Sequence, residues 1–227
     1  MLSEDAITRF EIGGREFRFY LPDADDHIQR TIRETNAFYE LEMLADMMLH
    51  LKPGDLAIDC GANIGNHSIF LAGAADATVI ALEPFRHCFD ILDRNVALNE
   101  LDHRILPLNT ACGAKHASGT VINGEQDNLG QTRVVTPPTG LGAEVSIIPL
   151  DALELTAPVK LIKIDVEGME ADVLRGATRI LKEDGPTIYA EAHDDKALAE
   201  MSMVLKPLGY IPKIRFNATP TYRFERK

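Results

Sequence analysis

The spacing of apolar positions changes along this chain, and the changes divide it. Residues 9–21, RFEIGGREFRFYL, alternate apolar and polar on either side of Gly13-Gly14. Period two marks half-buried strands, and a glycine pair between two such runs marks a hairpin. Over residues 27–50 the period lengthens. Ile28, Ile32, Phe38, Leu41, Leu44, Met48 and Leu49 recur at near-helical spacing, which predicts one or two helices. Lys52-Pro53-Gly54-Asp55 then breaks the pattern. Residues 1–53 are read as a hairpin and helical appendage, and residues 54–227 as the main domain.

After the break, short apolar runs alternate with amphipathic ones. Strands are expected at 56–60, 78–82, 105–108, 145–148, 161–164 and 187–190, and helices at 64–73, 85–99, 170–182 and 196–205. Residues 113–144, with their Gly, Asn, Thr and Pro137-Pro138, read as irregular apart from a short strand near 120–122. Two last strands, 209–216 and 220–225, have no helix between them and so suggest an antiparallel hairpin at one edge. Apolar, uncharged strands joined by helices imply an α/β fold with a parallel sheet covered on both faces.

Composition narrows the classes. A chain of 227 residues can build a core without disulfides or metals. Its net charge of −12 repels phosphate backbones and anionic lipid, which argues against nucleic acid and membrane partners. No apolar run reaches the ~18 residues that span a bilayer, and Met1–Asp5 lacks the basic and apolar regions of a signal peptide. Cys60, Cys88 and Cys112 are odd in number and have no CxxC spacing. They argue against a disulfide framework or a zinc site and suit a reducing cytoplasm, the expected location.

The candidate chemistry begins at Asp59-Cys60-Gly61-Ala62-Asn63-Ile64-Gly65, where the first strand of the main domain meets its first helix. Gly61 lets the chain turn and a ligand touch the backbone, Gly65 allows close packing, and helix N-terminal amides can face an anion. Glu83 follows 24 residues after Asp59 at the end of the next strand, near the separation at which a carboxylate meets ribose hydroxyls. The turn is neither GxGxxG nor a P-loop. Further on, Asp165 ends the strand 161–164 beside the same crevice, followed by Glu167 and Glu170, and Glu191 and His193 end the next strand. Neighbouring carboxylates raise one another's pKa, so one can serve as a general base. The same oxygens, with His193, could instead hold a divalent cation, although no metal ligands are assigned. Helix-terminal acids favoured by the macrodipole are the plainer reading for Glu170.

Four stretches resemble the FkbM-type methyltransferases: IDCGANIGNHSIFLA (58–72), VIALEPF (79–85) with RNVALN (94–99), LDALE (150–154) and LIKIDVEGMEADVLRGA (161–177). Glu191-Ala192-His193 matches as well, and Asn128-Leu129-Gly130 more loosely. The resemblance implies a Rossmann-like methyltransferase fold, with a mostly parallel seven-stranded sheet, that binds S-adenosyl-L-methionine and methylates a hydroxyl on a small molecule such as a sugar or natural product. It implies that Gly61, Ala62, Asn63 and Gly65 shape the cofactor loop, with Asp59 near the cofactor's amino-acid end. Glu83 would bind the ribose, and Asn109 and Ala111, in the stretch 109–113, would flank the adenine. Asp165 would stand near the methyl group, with Glu191 and His193 as further catalytic candidates. Two alternatives stay open at this point: a nicotinamide-dinucleotide oxidoreductase, against which the absence of GxGxxG counts, and a non-catalytic cofactor-binding domain. The acceptor, the choice of O- or N-methylation and the oligomeric state are not encoded in any motif.

Overall fold

In the computed structural model, which describes residues 6–122, 132–140 and 142–227, the N-terminal alternation forms the expected hairpin. β1 (Ile7–Ile12) pairs antiparallel with β2 (Arg15–Tyr20), with Ile12 opposite Arg15. A two-residue loop of that kind needs two positive φ angles, and Gly13 and Gly14 supply them at +61° and +80°. Helices α1 (His27–Thr35) and α2 (Leu41–Met48) follow.

This N-terminal segment is built into the main core. Phe17 and Phe19 are fully buried, and Phe38 meets the rings of Phe10, Phe17, Phe19 and Phe70 edge-on, with centroids 4.8–5.5 Å apart. The free edge of β2 is closed by side chains. Asn95 accepts the Tyr20 N–H at 2.6 Å, while Asn99 accepts the Arg18 N–H at 3.0 Å and donates to the Arg18 carbonyl at 2.7 Å. These two asparagines belong to RNVALN, so that motif satisfies backbone groups that a strand edge leaves open.

In the main domain, β3 (Leu56–Cys60), α3 (Asn66–Gly73), β4 (Thr78–Leu82), α4 (Arg86–Leu98) and β5 (Ile105–Leu108) alternate as expected. β7 (Ala117–Ile122) extends the short strand expected near 120–122 and β9 (Ala143–Ile148) the strand expected at 145–148, while β6 (Ala111–Cys112) and β8 (Arg133–Val135) were not expected. The four form a small sheet in the order β6-β9-β7-β8. Its own core is slight, a cluster of Ala111, Val121, Val145 and Ile147, while Cys112 packs into the main core, so the sequence carries little periodicity there. β10 (Val159–Ile164), α5 (Glu170–Arg175), α6 (Thr178–Glu183), β11 (Thr187–Glu191), α7 (Asp195–Leu205), β12 (Tyr210–Phe216) and β13 (Thr221–Arg226) complete the chain.

Among the described residues the large sheet has seven strands in the order β12-β13-β11-β10-β3-β4-β5. β11, β10, β3, β4 and β5 run parallel, and β13 pairs antiparallel with both β11 and β12, as the edge hairpin predicted. From β3 the chain moves outward to β4 and β5, then returns to β10 on the other side of β3. That reversal opens a crevice at the carboxyl ends of β3 and β10, the usual ligand position in such sheets.

Two expectations about the main domain are corrected. The predicted single helix 170–182 is two, α5 and α6. At their junction a Cβ on Gly176 would overlap the Gly113 carbonyl oxygen, and the Gly176 carbonyl accepts the Asp151 N–H. The Asp151 carboxylate then accepts the N–H groups of Arg179 and Ile180 at 2.7 and 3.0 Å, capping the second helix. The central strands are also not free of charge: Asp59 in β3 is 0% exposed and Lys163 in β10 is 3% exposed. They sit side by side in register, and each makes the other's burial tolerable.

Candidate active site

A cavity of about 1050 Å³ opens over the carboxyl ends of β3, β4, β10 and β11. That is ample for a nucleoside cofactor together with part of an acceptor. Its floor is the glycine turn. Gly61 has φ of +77°, and a Cβ there would overlap the Asp165 carbonyl oxygen, so the turn requires glycine because the end of β10 crosses it. Gly61 and Ala62 both donate their N–H to the Leu82 carbonyl, Asn63 donates to Glu83, and Gly65 donates to the Ala62 carbonyl. The turn therefore engages these four amides within the protein. Gly65, at φ +92°, makes room for the Leu92 side chain of α4, so its packing partner is a helix.

Glu83 sits at the strand end where the sequence placed it. Its two oxygens accept the N–H groups of Asn63 and Phe85, each at 2.8 Å, which fixes the carboxylate at the cavity wall. Burial pushes its pKa up to about 7, and the two backbone donors and Lys163 only partly oppose this. Each oxygen retains a lone pair for a ligand hydroxyl. Asn63, held at φ +49°, has a side-chain oxygen that is buried and without a hydrogen-bond partner among the described residues. Ala111 lines the cavity as well. Asn109 acts at one remove: its amide donates to the Glu83 and Pro84 carbonyls at 2.8 and 3.1 Å.

Asp59, expected beside the cofactor, is buried beneath the turn. It accepts the Ser68 hydroxyl at 2.7 Å and lies 3.2 Å from Lys163 Nζ. Burial alone would raise its pKa, but Lys163, His67 and Ser68 outweigh it and hold it below the ordinary carboxylate value. Lys163 Nζ also donates to the Gly61 carbonyl at 2.7 Å and lies 3.6 Å from Asp165 Oδ2. Burial draws the lysine pKa down, and Asp59 and Asp165 more than reverse this. One buried ammonium thus ties the glycine turn, the β3 carboxylate and the candidate catalytic carboxylate together.

Asp165, Glu167, Glu191 and His193 share the far wall. His193 Nε2 is 3.1 Å from Glu167 Oε2 and 3.3 Å from Glu191 Oε2. Burial, then the charges of Asp165 and Glu167, push the Glu191 pKa strongly upward; burial and Asp165 do the same to Glu167. Glu167 is held at φ +54°, an uncommon conformation of the kind that clusters at functional sites. Glu170 plays a structural part, since its carboxylate accepts the Gly168 N–H at 2.9 Å at the start of α5.

Several lining residues carried no sequence signal. Tyr39 and Glu40 come from the N-terminal segment, and Asn217, Ala218 and Thr219 from the turn between β12 and β13. Glu40 adopts φ +58° and its carboxylate lies 3.0 Å from His67 Nε2. The Tyr39 pKa is pushed up to about 12 by burial and then by Glu40, Asp165 and Glu191. Lys163 stood inside the IKIDVEG motif, where a lysine in an apolar strand was the available signal. Asn128-Leu129-Gly130 lies outside the described residues.

The methyltransferase FkbM domain model matches residues 59–212. Methyltransferase sdnD of Sordaria araneosa is 28% identical over 162 residues, which cover 56% of this chain and 62% of that protein. The 31-O-demethyl-FK506 methyltransferase FkbM of Streptomyces tacrolimicus is 28% identical over 197 residues, 71% of this chain and 75% of that one. Among solved structures, methyltransferase FkbM from Methylobacillus flagellatus KT is similar with a TM-score of 0.56 and 22% identity, covering 75% of this chain and 43% of that chain. At that identity the likeness speaks for the fold alone. The chain thus spans less than two thirds of the first relative and less than half of the solved structure.

Proposed function

Because this chain belongs to the methyltransferase FkbM domain family, we propose that it is an S-adenosylmethionine-dependent methyltransferase that acts on a hydroxyl of a small molecule, such as a sugar or natural product. One observation carries the choice of cofactor: the amides of Gly61, Ala62, Asn63 and Gly65 are already bonded, while Glu40, Glu83, Asp165, Glu167 and Glu191 face the cavity. A dinucleotide pyrophosphate would meet carboxylates and few donors there. A cofactor carrying sulfonium and ammonium charges and two ribose hydroxyls meets acceptors. The unpartnered Asn63 oxygen beside Glu83 is a further acceptor. In this reading Glu83 holds the ribose, and Gly61, Ala62 and Asn63 form the floor beneath the cofactor.

S-adenosylmethionine supplies a methyl group already activated for transfer, so the protein's share is positioning, exclusion of water and removal of a proton. Asp165, held by Lys163 at the end of β10, would orient the acceptor hydroxyl and take its proton. His193, flanked by Glu167 and Glu191, is the alternative base. Calorimetry with S-adenosylhomocysteine, NAD and NADP tests the assignment. Saturable binding of S-adenosylhomocysteine is expected, and binding of a dinucleotide in its place would overturn it.

A further inference from the structure

Two carboxyl groups and an imidazole meet at the far wall of the cavity. One ligand atom each from Glu167, Glu191 and His193 lies within 4.8 Å of the other two. The two short edges of that triangle, 3.1 and 3.3 Å, match the roughly 3 Å between adjacent ligands of an octahedral cation whose bonds are near 2.1 Å. A second observation concerns solvent access. Glu191 Oε2 is shut off from solvent and has no hydrogen-bond partner among the described residues, although the His193 ring nitrogen stands 3.3 Å away. The Glu191 side chain as a whole is 13% exposed. A buried carboxyl oxygen without a hydrogen-bond partner normally carries a cost.

The local charge points the same way. Asp165, Glu167 and Glu191 face this end of the cavity. The nearest fixed cation, Lys163, is engaged by Asp59, Asp165 and the Gly61 carbonyl. The backbone helps to present the donors, because Glu191 ends a parallel strand and Glu167 projects from the loop that leaves its neighbour β10.

We propose that Glu167, Glu191 and His193 bind a divalent cation, contributing two carboxylate oxygens and one imidazole nitrogen. The mixed oxygen and nitrogen set suits Mn²⁺ or a similar first-row ion better than Ca²⁺. Three protein ligands leave coordination positions open toward the cavity, where a hydroxyl-bearing acceptor could bind. This role rests on the methyltransferase reading above; the cation site itself does not. There the ion would lower the pKa of the bound hydroxyl, and the proton lost would pass to Asp165.

The test is Mn²⁺ binding to the full chain, followed by electron paramagnetic resonance and calorimetry, with and without S-adenosylhomocysteine. One Mn²⁺ per chain is expected. Glu191→Gln and His193→Ala should each weaken it by more than ~10-fold, the lower range for partners that only orient a ligand. Glu191→Gln keeps size and shape, and His193 is 40% exposed, so both variants should fold with far-ultraviolet circular dichroism like the parent. Absence of Mn²⁺ binding at millimolar concentration, or affinity in both variants equal to the parent's, overturns the site. If Mn²⁺ binds but S-adenosylhomocysteine does not, the cation site stands and the methyltransferase reading falls. The reverse result removes the cation and leaves that reading intact.

Discussion

Replacing Glu83 by glutamine should change how stability depends on pH, and the sign follows from its burial. In the folded chain the Glu83 carboxyl titrates at about 7 against an ordinary 4.5, chiefly because it is buried. The folded state therefore holds a proton that the unfolded state has released across roughly pH 4.5–7. The group's contribution to stability is fully present below about 4.5 and is lost as pH rises through about 7. A difference of about 2.5 units corresponds to about 3 kcal/mol at most. Glutamine cannot ionise, and its amide would face the Asn63 or Phe85 N–H, so a constant penalty of about 1–3 kcal/mol is superimposed. Urea denaturation followed by circular dichroism suits a chain without tryptophan. The stability of the parent minus that of Glu83→Gln should fall by about 2–3 kcal/mol between pH 5 and pH 8. Parallel pH profiles for the two proteins would refute the reasoning, because other carboxyls raised by burial are common to both. Hydroxyl donors favour the ionised carboxylate, so S-adenosylhomocysteine affinity should rise over the same interval in the parent and stay flat in the variant.

Three further outcomes are expected. Lys163→Met leaves Asp59 buried without its cation and should cost about 3–5 kcal/mol in urea denaturation; a loss under about 1 kcal/mol would show that the ammonium is dispensable. Gly61→Ala must place a Cβ against the Asp165 carbonyl at positive φ, so a thermal midpoint well below the parent's is expected even without ligand, and an unchanged midpoint would contradict the geometry. Asp165→Asn should retain S-adenosylhomocysteine binding and, on its true acceptor, lose about 10²–10⁴-fold in kcat; near-normal turnover would remove Asp165 from the chemistry.

What was legible in the sequence followed from periodicity and punctuation. The N-terminal hairpin came from period-two runs around Gly13-Gly14, the mostly parallel character of the sheet from apolar strands alternating with helices, and the edge hairpin from two last strands with no helix between them. Of the small sheet, the strands at β9 and the end of β7 were legible, but β6, β8 and the pairing of the four were not, because few of their residues are buried. The break at Gly176 was missed because it is imposed by the Gly113 backbone, a partner 63 residues away that no local pattern reveals. At the site, Glu83 and the cluster of Asp165, Glu191 and His193 were legible as strand-end residues. The burial of Asp59 was not legible, since a strand residue's side chain can point under a turn as readily as into a crevice. Tyr39 and Glu40 were invisible because their role depends on a tertiary packing of the N-terminal segment through Phe38 and Asn66.

That packing bears on where acceptor specificity resides. Glu83, Asp165 and Glu191 hang from the ends of β4, β10 and β11, strands locked in one sheet with fully buried neighbours. Groups held that firmly can keep the alignment that methyl transfer requires. The remaining walls come from elsewhere: Tyr39 and Glu40 from the N-terminal segment, Ile122 and Arg133 from the small sheet, and Asn217 from the tail turn. These connections can vary in length and side chain without disturbing the sheet. Tyr39 is nonetheless not a loose element: its N–H and carbonyl are both bonded to the Asn66 side chain, at 2.9 and 3.0 Å, on the first residue of α3. The helix that leaves the glycine turn thus also fixes the backbone of a cavity-lining residue. In the proposed function, a change of acceptor would therefore come more easily from altering the Tyr39 side chain than from moving its backbone.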